Sequence, residues 1–550
     1  MKLYFLPAIF VIILYVSADE LAYAWCPAGS FGRVPIGGWP DGVPPPEVLR
    51  EERGVPTKQL WETWWEANNA IFLDYRKPFP KDILEVNADG SSVIGAEAGM
   101  LKTLLETAIK DSDYNVRLAT AIAMGKSRDT SFIPKLIEAL NDEEREVKDS
   151  AILALGFLKN TESIPKIAEK LLEPKANVVS RGWAAYSLGY MRSPISIEYL
   201  KKSLELKSQN SDTLYASTIA LGLLKDPSVA GYLSDILIPQ KGKKDPYQAA
   251  YAALALGRLG GDEALQILLN AAKNEKNDDV NRCIAIALGM IGKSEAKDVL
   301  VNYCKQEKDT LSRAFAVIAL AKIKPDGIYD FVLECASNKK SEDFKGIGIL
   351  ALGILGQEKA IPVLKTLISD KKISDQLKNS AILSLGFLKA KNAVNELLEI
   401  AKSNRELESK RTYAISALGM IGDEAVVADI ETLFKNSLKT PDIYKECAYS
   451  LAMLGQHKTV LEQLYKDYES GNSYIKMNNM TILGKIGDKG TARFIKNKFD
   501  KETNKSLRFV MVSAIGYLCD PSGGNLIKEL TADNNYQIKF LSIDHVRQIP

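Results

Sequence analysis

Histidine is nearly missing: only His457 and His545 occur in 550 residues. That scarcity excludes a histidine-rich metal centre and a chain carrying several haems. Cysteine is sparse as well. The six, at positions 26, 283, 304, 335, 447 and 519, contain no C-x-x-C or C-x-x-C-H, so they build no disulfide framework and no Cys/His nucleophile pair. They read as small core residues, with one bridge, Cys304 to Cys335, left open. A charge excess is missing too: 71 basic against 69 acidic residues leave +2, which gives no long-range pull on nucleic acid. No G-x-S-x-G, H-E-x-x-H, Walker loop or paired-carboxylate motif occurs, and strand signals are absent. The composition, 46% hydrophobic and 25% charged, is that of a folded chain, and nothing in it asks for a cofactor or a metal.

What is present begins at the N-terminus. Met1–Lys2 precedes an apolar run from Leu3 to Val16, a polar turn and the small-residue site Ala22–Tyr23–Ala24. This is the layout of a signal peptide over 1–24, and it leads to an expectation of export to a periplasm, cell envelope or extracellular space. The run is short for a membrane span and is interrupted by Pro7, so cleavage after Ala24 is the expectation and an uncleaved anchor the alternative. Trp25 before Cys26 argues against lipidation, which needs a small residue there. Residues 25–56 hold many prolines and glycines and read as an extended arm. The stretch 57–94 then opens with LWETWWEANN, which as a helix places Trp61, Trp64, Trp65 and Phe72 on one broad face.

Downstream, over 95–533, one pattern recurs thirteen times. DSAILALGFL, CIAIALGMIG, IGILALGILG and YAISALGMIG share a glycine that stands at 125, 156, 189, 222, 257, 289, 353, 386, 419, 484 and 516, with Ala321 and Ala452 in its place twice. Spacings of 31 to 35 residues are those of stacked supersecondary units. Around this anchor the columns have distinct roles. A large apolar residue precedes it, a small one usually sits five before it, and an N-cap former sits twelve before it in eleven repeats, Glu144 and Leu407 excepted. The glycine itself either admits a neighbouring helix or eases the helix end. Each unit is thus a helix–turn–helix whose second helix carries the LG motif.

DYNVRLATAIAMGKS (113–127) and DVNRCIAIALGMIG (279–292) resemble the second helix of HEAT repeats, in particular the HEAT-like class of the phycobilisome bilin lyases. The resemblance implies an all-α, armadillo-type α-α superhelix and says little about chemistry. The Trp-rich W-x-x-W-W-x-x-N stretch resembles that of exported, planctomycete-type bacterial HEAT-repeat proteins. An open superhelix on the order of 120 Å along its curve follows from helix-pair spacing, and its two ends need covers. Trp61, Trp64, Trp65 and Phe72 are therefore expected to seal the first repeat, and 534–550 the last.

Eight residues before the anchor, a basic side chain recurs: Arg117, Lys148, Arg181, Arg313, Lys345, Lys378, Arg411, Lys476 and Arg508. This column is either a binding track for an acidic partner or a ladder that neutralises caps and helix ends. The expected function is an exported, non-catalytic scaffold that holds a protein or peptide on its concave face, with polysaccharide as second choice and nucleic acid excluded. Two alternatives stand beside it. One is an enzyme of bilin-lyase-like or envelope-hydrolase type, with a site assembled from several repeats. The other is a self-associating envelope component. Oligomeric state is left open.

Overall fold

The computed structural model describes residues 59–69, 73, 75, 84–86, 92–94, 98–206, 210–239 and 244–520. The signal-like segment, the Pro/Gly-rich arm, Phe72 and 534–550 lie outside the described residues. Among those described are 27 α-helices: a lone helix, α1 (Leu60–Asn68), and thirteen helix pairs, each pair one repeat. A small antiparallel hairpin, β1 (Leu84–Val86) with β2 (Ser92–Ile94), precedes repeat 1 and departs from the all-helical expectation.

Within each repeat the second helix begins where the cap column predicts. Asp113, Asn177, Asn210, Asp245, Asn277, Asp309, Ser341, Ser374, Asn472 and Asn504 all accept a hydrogen bond from a backbone N–H of the first turn. Thr440 makes no such bond, nor do Glu144 and Leu407. Such a cap contributes about 1 kcal/mol.

The anchor glycine acts through close approach. A Cβ built at Gly125, Gly156, Gly222, Gly257, Gly353 or Gly484 would lie under 3 Å from the main chain of the next repeat's second helix. The residue met is always two before that repeat's own anchor, and it is Ala or Ser: Ala154, Ser187, Ala255, Ala287, Ser384 and Ala514. Where it is serine, its hydroxyl donates back to the preceding helix, as in Ser187 Oγ to Ile152 O (2.7 Å), Ser384 Oγ to Ile349 O (3.0 Å) and Ser450 Oγ to Ile415 O (2.8 Å). Second helices therefore pack tightly side by side while first helices touch across repeats much less, so the second helices form the inner layer of a curved stack.

The helix end lies three residues beyond the anchor. There eleven consecutive repeats place a left-handed residue: Gly260, Gly292, Gly356, Gly422 and Gly455, but Arg128, Lys159, Arg192, Lys225, Lys324 and Lys389 in the other six. A side chain in that conformation costs roughly 1–2 kcal/mol. A basic one recovers part of this by facing helix C-terminal carbonyls, as Lys225 Nζ does in donating to Arg258 O at the end of the neighbouring inner helix.

The curvature is enough to bring the stack back onto itself. The inner helix of repeat 13 (Lys505–Leu518) packs on the inner helix of repeat 1 (Tyr114–Lys126), and the outer helices of the same repeats (Lys489–Phe499, Ala98–Ala108) meet as well. The join repeats the register of the connected junctions. Gly516 faces Ala123, two before the first anchor, and Arg508 bonds Asp111 as Arg117 bonds Asp142 in repeat 2. Lys505 Nζ lies 3.7 Å from Asp113, and Lys126 Nζ sits 4.5 Å over the Tyr517 ring. The fold is thus a closed ring, and the expectation of an open superhelix whose first repeat needs a separate cover is corrected: repeat 1 is covered by repeat 13. Thirteen inner helices at 8–10 Å spacing give a ring about 35–40 Å across between opposite helix axes.

Candidate functional site on the inner wall

By helix periodicity the positions ten, seven, six and three before the anchor, and one after it, share the face of each inner helix opposite the side chains that bond the outer helix. Repeats 7 to 10 show this directly, because α1 lies against them. Trp61 rests on Gly346, seven before the anchor of repeat 8, where a Cβ would come within 2.6 Å of Trp61 Cδ1. Its ring is 5.4 Å from that of Tyr413 in repeat 10. Trp65 meets Phe387 of repeat 9 edge-on at 5.6 Å. Leu60 and Trp64 border a small apolar void with Leu311, Phe315, Ile318 and Ile347. Further along the wall, Tyr75 stacks on Tyr449 of repeat 11 at 4.2 Å, and its carbonyl is 2.9 Å from His457 Nε2.

Trp61, Trp64 and Trp65 are buried. They do not seal repeat 1, as the sequence reading expects; they occupy the inner wall on the far side of the ring. The expectation failed because it assumed an open end, and closure removes that end. Polar contacts fix the start of α1: Gln59 Nε2 donates to Glu342 Oε1 (3.3 Å) and Leu60 N to Asp343 Oδ1 (3.5 Å). Two carboxylates thus stand at the positive end of a short helix, a favourable dipole arrangement. Trp61 Nε1 is buried with no hydrogen-bond partner.

The basic column does not face the centre. Five of its arginines turn outward and donate to the last carbonyls of their own repeat's outer helix or of the turn that follows it: Arg117 to Asp111 O (2.9 Å), Arg181 to Leu171 O (2.9 Å), Arg313 to Cys304 O (3.0 Å), Arg411 to Ala401 O (3.0 Å) and Arg508 to Phe499 O (3.1 Å). Arg313 also lies over Phe344 of the next repeat at 4.1 Å. Lys378 pairs with Asp375 at 3.8 Å, and Lys476 lies 5.5 Å over Tyr468. Lys148 is half-buried near Asp142 and Asp149, and Lys345 is half-buried. The geometry of the arginines is that of a ladder tying outer to inner layer.

Sequence reading overlooked the columns that do face inward. In repeats 2 to 5 they hold Phe157, Trp183, Tyr186, Tyr190, Tyr215, Tyr247 and Tyr251, with ring contacts such as Phe157–Tyr190 at 5.1 Å and Tyr215–Tyr251 at 5.2 Å. The signal was a recurrence of aromatic residues six before the anchor and one after it, visible only once the inward face is known. One carboxyl joins them: burial pushes Asp149 up to about 6, against the opposing pull of Ser180 and Arg145. Among the described residues no cluster of His, Cys, Asp and Glu could hold a metal ion, and no helix is long and apolar enough to cross a membrane. The five described cysteines are buried and unbridged.

A HEAT-repeat family profile matches residues 101–182, 234–314 and 305–386, and a PBS lyase HEAT-like repeat profile matches 180–205 and 410–436. The chain is a HEAT-repeat solenoid protein. Among solved structures it is similar to human deoxyhypusine hydroxylase in complex with glycerol, at 17% identity and a TM-score of 0.21, over 54% of this chain and 96% of that one. It is also similar to the CpcE–CpcF complex of phycocyanin lyase from Nostoc sp. PCC7120, at 18% identity and a TM-score of 0.29, over 49% and 97%. A third likeness is to the karyopherin Kap121p bound to the SUMO protease Ulp1p, at 13% identity and a TM-score of 0.35, over 70% and 48%. No curated protein matches the chain by sequence.

Proposed function

We propose that this chain is an exported, non-catalytic interaction scaffold that binds a protein or peptide on the inner wall of its ring. The observation that carries the reading is α1 itself: an amphipathic helix lies across four repeats of that wall, with its aromatic side chains between theirs. The wall is therefore built to receive a helix. Repeat stacks of this kind present long concave surfaces, which favours binding over chemistry. The signal-like segment 1–24 supports export.

The test uses the chain beginning at Trp25 as bait for proteins of the exported fraction, followed by reconstitution with each purified candidate. A saturable complex that weakens at least tenfold on Phe315→Ala with Tyr413→Ala supports the scaffold. Candidates that bind the doubly substituted chain equally well, or turnover of a substrate lost on Asp149→Asn, would overturn it.

A further inference from the structure

We infer that the wall of repeats 7 to 10 is a recognition groove for an aromatic amphipathic helix of a partner protein, and that α1 is its exchangeable internal occupant. This rests on the scaffold reading and names the partner's chemistry. Three observations lead to it. First, the ring closes without α1: the join between repeats 13 and 1 is made by Gly516, Ala123, Arg508 and Asp111, none of which touches the tryptophans. The structural reason for a cover at a solenoid end has gone, yet three indoles remain buried elsewhere.

Second, the groove is specific in shape and charge. Gly346 leaves a slot for one ring, Phe315, Phe387 and Tyr413 flank it, and Glu342 and Asp343 receive a helix N-terminus. A partner helix with aromatic residues at i, i+3 and i+4 and no acidic residue in its first turn complements these features. Third, α1 fits imperfectly. Its nine residues are fewer than an isolated helix needs, Trp61 Nε1 lacks an acceptor, and a void remains beneath Leu60 and Trp64. A helix that carries phenylalanine in the Trp61 slot has no N–H to leave unpaired and binds more tightly.

The experiment uses the full chain and a fluorescent peptide of residues 57–76. In a Trp61→Ala/Trp64→Ala/Trp65→Ala chain the groove is vacated, and anisotropy should show one peptide bound at least tenfold more tightly than by the unsubstituted chain. The peptide bearing Trp61→Phe should gain a further factor of three or more. Adding Gly346→Leu to the vacated chain should abolish both. A vacated chain that retains its helical circular dichroism but binds no peptide overturns the inference, as does equal binding by the unsubstituted chain. Should the vacated chain fail to fold, the unsubstituted chain decides the matter. Saturating Trp61→Phe peptide should speed amide hydrogen exchange across Leu60–Asn68 of the chain several-fold, and an unchanged rate contradicts exchange. Peptide binding reports on the groove alone, so its failure leaves partner capture under the scaffold reading as a separate result.

Discussion

Two junctions of the ring make an instructive pair: the one between repeats 13 and 1, which no peptide bond spans, and the one between repeats 11 and 12, which the chain connects. The first packs like its neighbours, whereas at the second the inner helices barely touch. The cause lies in two columns. At the unlinked join a glycine, Gly516, faces a small residue, Ala123. Between 11 and 12 the anchor is Ala452, and the position two before the next anchor is Ile482, the one large residue in that column. Close packing between repeats is thus set by side-chain size at two positions, not by connectivity. The looser junction is instead held by a buried bond from Tyr444 to Asp467 Oδ2 (2.8 Å), and it leaves Asn479 Oδ1 without a partner.

The comparison can be broken first at its charged groups. Arg508→Met leaves Asp111, 7% exposed at its side chain, without its guanidinium, and should cost about 2–4 kcal/mol in denaturant unfolding. Tyr444→Phe at the other junction should cost only about 1–2 kcal/mol, because Gln463 still donates to Asp467. Equal costs would mean that the unlinked join adds nothing of its own.

An acid away from either junction sharpens the contrast. Asp149 has its pKa raised to about 6 by burial, so the folded state binds its proton more tightly than the unfolded chain does. Its penalty is absent below about pH 4, grows as pH rises towards 6 and is constant above that. Asp149→Asn should therefore gain about 1–3 kcal/mol at pH 7.5 and nothing at pH 3.5. Asp142 behaves oppositely: burial works against its ionisation, but hydrogen bonds from Arg117 and the Glu144 backbone outweigh it and hold the carboxyl below its usual range. Its contribution is lost only as pH falls below the usual carboxylate value. Melts of Asp149→Asn and of Asp142→Asn across pH 3–8 separate the two signs.

The smallest effect is expected at Gly516. An added methyl there would meet Ala123 at 3.3 Å, against contacts under 3 Å with backbone at Gly222. Gly516→Ala should cost less than about 1 kcal/mol, while Gly222→Ala should cost about 2–3 kcal/mol. A reversed order would contradict the column argument.

Much of this was legible beforehand for a physical reason. Apolar and small residues at a fixed period define packing faces whatever the global curvature, so the helix pairs, the caps from Asp113 to Asn504 and the close-packing glycines could be read from the chain. Closure could not be. It depends on a small rotation per repeat summed over thirteen junctions, and no residue encodes that sum. The place of Trp61, Trp64 and Trp65 was hidden for the same reason, since a helix that covers an end and a helix that lies on an inner wall need the same amphipathic pattern. Lys324 and Lys389 escaped notice as helix ends because a basic residue in a left-handed conformation lacks the glycine signature.

The central claim is that the stack closes between repeats 13 and 1. Residues 123 and 516 are 393 apart in sequence, yet a Cβ at 516 would lie 3.3 Å from that of Ala123, close to the spacing of a disulfide. A chain carrying Ala123→Cys and Gly516→Cys, oxidised under native conditions, should form this cross-link in nearly every molecule and migrate faster on a denaturing gel until reduced. Each singly substituted control, Ala123→Cys or Gly516→Cys alone, should migrate unchanged. A doubly substituted chain that stays folded but forms no such cross-link would show an open solenoid and contradict the account.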